Sequence, residues 1–590
     1  MRNIHIHYPW FRIPLFTSIS HKDETPDAMT PSFAPSSLPD SEEIMPERGR
    51  SWFWRECGFA LALIVAMALY YLIGNQDLKY PLGNLAQWNP WLAVPFLVCF
   101  IVLCWLRLPL AVTLLPLSLP FYLAPKVIAG NFRISPAELS LWICLLIAGA
   151  QFLSARLRQE HWRYSLSLAE WRERIGPLLI PVALFALAAL LSILVASDRS
   201  SALRAFREEV LDPLLYVGLL LLCLRTRQDL ARLLWTFFVT GLVIACIAAL
   251  DYHLFGLTDA VYGSPNSTGL LFDYTLPIGL ALVLSRISWK MRLLALLLCL
   301  PFFYTLLHSE SRGSAWFAFP VVLLLIIVLA IRNRKVLLVG GTLVIVLVAL
   351  SYGLFFGKIN TLIMKDVING HSDTNSVSTL QRRIYLWESA LAMIHDQPIL
   401  GYGMDNWLCH YADPRVVPSA DPNYVSTSAT DPQYSWMYSC PRATHYYIVS
   451  EVNGHTTHMY DEPSLSHPHN IFLHVWVSMG LLGILAFVAV LVLFFWLFVA
   501  LIRWLARGNV PHAEQLRWMM VGVGAGLFAG MLQGQLDSAF LEQDLSFCFW
   551  LLVGTLLLLR STAGMPWRGM LHLPVQTHEG ELLQVHKDAH

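Results

Sequence analysis

The sequence predicts an all-α polytopic membrane protein, with about 12–14 transmembrane helices and one large extracytoplasmic loop that carries an amphipathic helix. Three observations lead there. The 590-residue chain is 56% hydrophobic and only 14% charged, whereas soluble domains carry roughly 25% charged residues. Its apolar residues gather in runs that approach the roughly 20 residues a helix needs to cross ~30 Å of hydrocarbon. Its basic residues crowd into alternate segments between those runs. Formal net charge is +0, with Lys+Arg and Asp+Glu both at 40. The total therefore gives no reason to expect a nucleic-acid partner, and membrane lipid is the surrounding that the composition implies.

Residues 1–50 include the Ser/Pro-rich stretch TPSFAPSSLP and no apolar run long enough to be a signal peptide or to fold on its own, so they read as a disordered cytoplasmic tail. An N-terminal transmembrane bundle follows over 51–356, with spans expected near 57–74, 91–106, 109–124, 138–154, 177–196, 210–224, 231–252, 268–285, 291–307, 314–331 and 336–356. The run at 109–124 holds Pro109, Pro116 and Pro120 and is also open to a re-entrant reading. A large loop domain over 357–469 comes next. The chain then re-enters the membrane over 470–560, with spans near 470–502, 518–533 and 546–560, and ends in a cytoplasmic tail over 561–590.

The positive-inside rule tests this alternation. Segments assigned to the cytoplasm carry Arg48, Arg50 and Arg55; Arg156, Arg158, Arg163, Arg172 and Arg174; Arg225, Arg227 and Arg232; Arg286, Lys290 and Arg292; Arg332, Arg334 and Lys335; and Arg503, Arg507 and Arg517. The exceptions are Arg199, Arg204 and Arg207 in SDRSSALRAFREE and Arg312 in HSESRG, which fall on the outside. They either form ordinary ion pairs with Glu208, Glu209 and Glu310 or mark a place that wants positive charge. Eight of the ten cysteines sit in or beside apolar runs and read as packing residues. Cys409 and Cys440 share the long outer loop and are either a disulfide or two free thiols.

A connection of about 110 residues far exceeds the usual few, so the outer loop is the expected home of a site. Within it, QRRIYLWESALAMIHDQP reads as an amphipathic helix, with Ile384, Trp387, Leu391 and Ile394 on one face and Asp396 and Pro398 at its end. That pattern favours a helix lying flat with Trp387 dipped toward lipid. Gly401 and Gly403 in the following turn mark a sharp bend or a close backbone approach. The segment 404–466 has no clear period, and its fold stays open. At the loop's end His467, Pro468, His469 and Asn470 stand at the start of a membrane helix, a place suited to anions and to a neutral imidazole.

Four segments now line up: GSPNSTG (263–269), TLLHSESRGSAW (305–316), RIYLWESALAMIHDQPILGYGMDNW (383–407) and HPHNIFLHVWVSMGLLG (467–483). In order, spacing and sidedness they resemble the pattern of the O-antigen ligase/polymerase superfamily of bacterial inner-membrane glycosyltransferases, over roughly 200–535 of this chain. The resemblance implies a polyprenyl diphosphate-linked glycan as donor. It leaves the acceptor open between lipid A–core (a ligase), another lipid-linked glycan (an O-antigen or exopolysaccharide polymerase) and a protein hydroxyl. By the same analogy Arg312, Arg383 and His469 are the catalytic residues, and Arg204 or Arg207 is a further arginine of the donor site.

The residues themselves suit that chemistry. Guanidiniums such as Arg312 and Arg383 can stabilise a leaving diphosphate with bidentate, charge-assisted hydrogen bonds. His469 is the candidate base for the acceptor hydroxyl, and His467 is the reserve choice. Asn266 either orients the sugar or caps the next helix. Asp537 in GQLDSAF is placed to orient a histidine or an arginine, and Asp273 is either a functional intramembrane acid or a shallow one. No outward DxD-type pair stands ready for a metal–nucleotide complex, and His445, His455, His458, His467, His469 and His474 show no convincing ligand spacing, so neither a metal nor another cofactor is expected. A lipid or anion transporter is the rival from another class. It would more often show an internal repeat, and none is visible.

Overall fold

The computed structural model describes residues 50–75, 83–330, 379–411, 449–458 and 467–567, apart from 123–124, 130–131, 259, 263–264, 310, 312, 453–454, 508–509 and 538–539. The expected span at 336–356, nearly all of both tails and most of the 357–469 loop lie outside these residues. The chain divides into two compact units, Met1–Glu56 and Cys57–His590. Of the first, only the opening of helix α1 (Arg50–Leu72) is described.

The second unit is helical, as predicted. After α1 come α2 (Val94–Leu106), α3 (Leu108–Leu114), α4 (Pro136–Leu157), α5 (Leu168–Ile175), α6 (Leu179–Val195), α7 (Arg199–Ala205), α8 (Asp212–Cys223), α9 (Arg227–Phe255), α10 (Pro265–Leu284), α11 (Trp289–His308) and α12 (Phe319–Ala330). The loop contributes α13 (Thr379–Asp396) and α14 (Trp407–Tyr411), and the chain closes with α15 (Ile471–Ala506), α16 (Ala513–Gln533) and α17 (Gln543–Thr562). Two short antiparallel hairpins complete the described elements: β1 (Lys126–Ala129) with β2 (Phe132–Ile134), and β3 (Val449–Val452) with β4 (His455–His458).

By length and composition, eight helices among the described residues can cross a membrane: α1, α4, α6 with the turn and helix before it, α9, α10, α11, α15 and α17. A ninth arises if the pair around Arg107, bent by 118°, is one span. Arg107 is non-helical at the break and Pro109 follows, so the proline-rich run is a bent element, the geometry of a broken span or a re-entrant loop. The runs expected at 210–224 and 314–331 are shorter helices, α8 and α12, each entered through a six-residue π-helical turn, Phe206–Leu211 and Gly313–Ala318. Such turns recur at functional sites.

The core is built on α10 against α16. Gly522, Gly526 and Gly530 recur every four residues along α16. A side-chain carbon at Gly522 would meet the Ile278 backbone at 2.9 Å and one at Gly526 the Tyr274 carbonyl at 2.7 Å. A small-residue stripe of this kind lets two membrane helices approach backbone to backbone.

The basic connections gather at one end of the bundle. There Arg174 donates to the Leu221 carbonyl, Arg225 to Ser165, Arg227 to Gln515, Arg517 to Leu329, and Arg560 pairs with Glu173 at 3.2 Å. The four motif segments gather at the opposite end, around the short turn between α16 and α17.

Candidate active site at the α16–α17 turn

Helix α13 is where the structure departs from the lipid-surface reading. Its buried stripe is Leu386, Ala390, Met393 and Ile394, packed with Tyr402, Trp407 and Val477 and flanked by Trp387, Leu473 and Trp476, while Leu391 is exposed. The amphipathic face is thus turned onto α15 rather than onto lipid. Pattern alone could not separate the two, because the same period of apolar residues suits either apolar surface. Trp387 donates its indole N–H to the His469 carbonyl at 3.3 Å, which ties the Arg383 helix to the HPHN segment. Arg383 itself is half-buried, one turn before Trp387.

The PILGYG turn then threads into a break in α15. Gly480 adopts φ +66° inside that helix. The carbonyls freed there accept from Tyr402 (2.7 Å to Val477) and Gly403 (3.1 Å to Ser478), and Leu481 N–H donates to Pro398 at 2.8 Å and Ile399 at 3.1 Å. Gly401, at φ +69°, faces the Val477 carbonyl, and a side chain at either Gly401 or Gly480 would strike the opposing backbone. The close approach expected for Gly401 and Gly403 is what the structure contains. Beyond the turn, Asn406 accepts from Asp198 N–H at 2.7 Å and donates to the Asp198 carbonyl at 3.1 Å, and Arg204 meets Asp405 at 2.8 Å.

At the centre stand the two histidines. Asn470 caps α15, accepting from Phe472 and Leu473 N–H. That cap holds the preceding residues against the turn after α16, where Ile471 N–H donates to the Gly534 carbonyl at 2.7 Å. His469 takes a positive φ of 49°, a strained value for a residue with a side chain. Its Nδ1 lies 2.7 Å from Asp537 Oδ1. His467 is buried, with Nε2 at 3.3 Å from Glu542 Oε1 and 3.9 Å from Asp537 Oδ1. Burial works against its charge, yet the hydrogen bond to Glu542 and the charges of Asp537 and Glu542 outweigh it and raise the His467 pKa. The two rings meet edge to face at 4.7 Å. Ligand atoms of His467, His469 and Asp537 all lie within 4.8 Å of one another, a spacing that would also admit a metal ion. As they stand, the His469 and Asp537 atoms face each other at hydrogen-bond distance, which is the geometry of a shared proton.

Described neighbours of several other predicted residues reach the same region. Arg312 lies outside the described residues. Its neighbour Gly313 packs against the Gln533 side chain, and the Gln533 carbonyl accepts from Asp537 N–H at 2.9 Å. Ser314, in the same π-helical turn, donates to the buried Asp273 at 2.8 Å, so that intramembrane acid braces the SRG segment. Asn266 is the second residue of α10 and hence inside the first turn rather than the cap before it. Tyr262, just before the GSPN segment, donates to Asp544 at 2.7 Å. Arg207 pairs with Glu208 at 2.5 Å and Glu138 at 3.1 Å, and Gln543 donates to Glu208 at 3.1 Å. Both outer arginines are therefore engaged by carboxylates, although the Arg204 side chain stays 56% exposed.

Glu138, Asp405, Gln533 and Glu542 were not legible as site residues. Each is a polar residue beside an apolar run or in a turn, with no motif spacing of its own, and only the long-range packing shows what it meets. Cys409 is disulfide-bonded, the eight cysteines in or near apolar runs are free, and Cys440 lies outside the described residues.

Residues 293–488 match the family model described as O-antigen ligase. The match takes in Arg312, Arg383, His467 and His469, and leaves Arg204, Arg207, Asn266, Asp537 and Glu542 outside. No curated protein matches the chain. The chain is a multi-pass membrane protein that carries an O-antigen ligase domain over residues 293–488, of the ligase or polymerase type.

Proposed function

We propose that the protein is a metal-independent glycosyltransferase of the bacterial inner membrane, moving glycan from a polyprenyl diphosphate carrier to an acceptor hydroxyl at the periplasmic face. The acceptor we favour is lipid A–core, which makes the protein an O-antigen ligase. The observation that carries this reading is the His469–Asp537 pair, whose histidine lies in the O-antigen ligase domain and whose aspartate follows it in the chain, at the place where the motif segments meet. The Cys409 disulfide supports an oxidising side for the loop, and the basic connections at the other end support a cytoplasmic side there.

Asp537 takes the Nδ1–H of His469 and leaves Nε2 as the basic nitrogen. That nitrogen removes the proton of the acceptor hydroxyl as its oxygen attacks the anomeric carbon. The bond from that carbon to the diphosphate oxygen breaks, and the electron pair leaves with the diphosphate. Arg312 and Arg383 stabilise the charge that develops there. Asp537 stabilises the imidazolium that forms. Arg204, paired with Asp405 but with a side chain 56% exposed, is assigned a second contact to the donor, whereas Arg207, held by two carboxylates, serves the framework. Asn266, in the first turn of α10, is assigned to the sugar. His467 is assigned to the substrate side of the cluster.

Surface polysaccharide from a strain lacking the protein tests the reading. Loss of glycan on lipid A–core with accumulation of lipid-linked polymer is the expected result. Single-repeat products would instead identify a polymerase, and unchanged glycans with a lost solute flux would identify a transporter.

A further inference from the structure

Two imidazoles at this site face one carboxylate oxygen. Asp537 Oδ1 is 2.7 Å from His469 Nδ1 and 3.9 Å from His467 Nε2. A shift of about 1 Å would bring the second ring into hydrogen-bond range and into competition for the same oxygen. A base that depends on Asp537 for its tautomer needs that competitor held elsewhere.

Glu542 supplies the hold. It is the residue before α17, in extended conformation, and its carbonyl accepts from Ser546 N–H at 2.8 Å. Its backbone is thereby fixed by the helix start while its carboxylate reaches sideways to His467 Nε2 at 3.3 Å. Among the described residues the other ring nitrogen, Nδ1, is buried and makes no hydrogen bond to a neighbouring residue. Among the described residues Glu542 is therefore the hydrogen-bonding anchor of that ring. The titratable groups facing His467 among those residues are Glu542 from the start of α17, Asp537 from the turn after α16, and His469 and His474 from the α15 end.

We infer that Glu542 is a positioning residue of the transfer site: its carboxylate holds the His467 ring through Nε2 and so reserves Asp537 for His469. This rests on the transferase reading above, in which His469 is the base. It adds a residue that lies outside the matched domain and that touches neither substrate nor base.

The test uses the full-length protein in nanodiscs with Glu542→Gln, which keeps the side-chain size and removes the charge, and Glu542→Asp, which keeps the charge. Removing an anion beside an imidazolium lowers its pKa, so its proton leaves at lower pH. For Glu542→Gln the alkaline limb of the pH–rate profile is expected to move down by about one pH unit, with kcat falling about tenfold on that limb and KM within about twofold. Glu542→Asp is expected to keep the limb in place. A wild-type profile and kcat for Glu542→Gln would overturn the proposal. If Glu542→Gln does not fold, the limb of Glu542→Asp decides, and its displacement overturns the proposal. Nitrogen NMR of labelled histidine, with the His467 signal assigned by its loss in His467→Gln, separates this proposal from the transferase reading. An imidazolium at pH 7 that disappears in Glu542→Gln supports the hold even if no transfer is found, and an imidazolium that persists refutes it.

Discussion

His469 Nδ1 and Asp537 Oδ1 lie 2.7 Å apart, although 67 residues and two helices, α15 and α16, separate them in the chain. One comes from the end of the long loop and the other from the turn after α16. The hydrogen bond fixes which imidazole nitrogen carries the proton, and so which nitrogen is free to accept one.

Asp537→Asn should keep the shape of the pair and remove the charge that stabilises the imidazolium. We expect glycan transfer to fall by about 10²–10⁴-fold, with membrane insertion and donor binding retained. Initial rates with lipid-linked glycan in nanodiscs measure this.

Arg312→Ala and Arg383→Ala should each cost about 10²–10³-fold in kcat, the scale of one fixed donor at a developing charge. Arg383→Lys should recover only part of it, because an ammonium cannot form the bidentate contact. An active Arg383→Ala enzyme would remove Arg383 from the diphosphate site.

Gly480→Ala puts a side chain where the Ile399 backbone passes, at φ +66°. Strain and displacement of the PILGYG turn should destabilise the region by roughly 1–3 kcal/mol. Cleavage by an added protease within 397–411, slow in the wild type and faster in the variant, reports it.

The same segment should loosen in acid. His410 is buried against Tyr402 and bonds Ser197 at 2.9 Å, and burial lowers its pKa to about 4. Below the ordinary imidazole value of about 6.5 the undocked segment binds a proton that the docked one does not. Docking is therefore at full strength above about pH 6.5 and weakens as pH falls toward about 4, by roughly 3 kcal/mol at the limit. Hydrogen exchange of 397–411 across that range should show the change in wild type and lose it in His410→Gln.

Chelation tests the proton-sharing reading of the His467–His469–Asp537 group. EDTA should leave transfer unchanged, and added Mg²⁺ or Zn²⁺ should not raise it. Activity abolished by EDTA and restored by metal would replace a general base with metal-assisted chemistry.

Much of this was readable in the chain. The spans follow from apolar runs, and the end that carries the motifs follows from where arginines do and do not cluster. Gly401 and Gly403 announced a close approach that Gly480 completes. What could not be read is which surface an apolar face meets. The α13 pattern favoured lipid but also fits an apolar protein surface, and only the burial of Leu386, Ala390 and Met393 and the Trp387–His469 contact decide for protein. Nor does any local signal join Glu542 to His467 or Arg207 to Glu138, since lone acids flanking a span look alike until the helices are packed.

The most direct measurement is single-turnover transfer by His469→Ala with the donor already bound. Donor affinity should stay near that of wild type and the transfer step should slow by about 10²–10⁴-fold. A His469→Ala protein that transfers glycan at the wild-type rate would contradict His469 as the base.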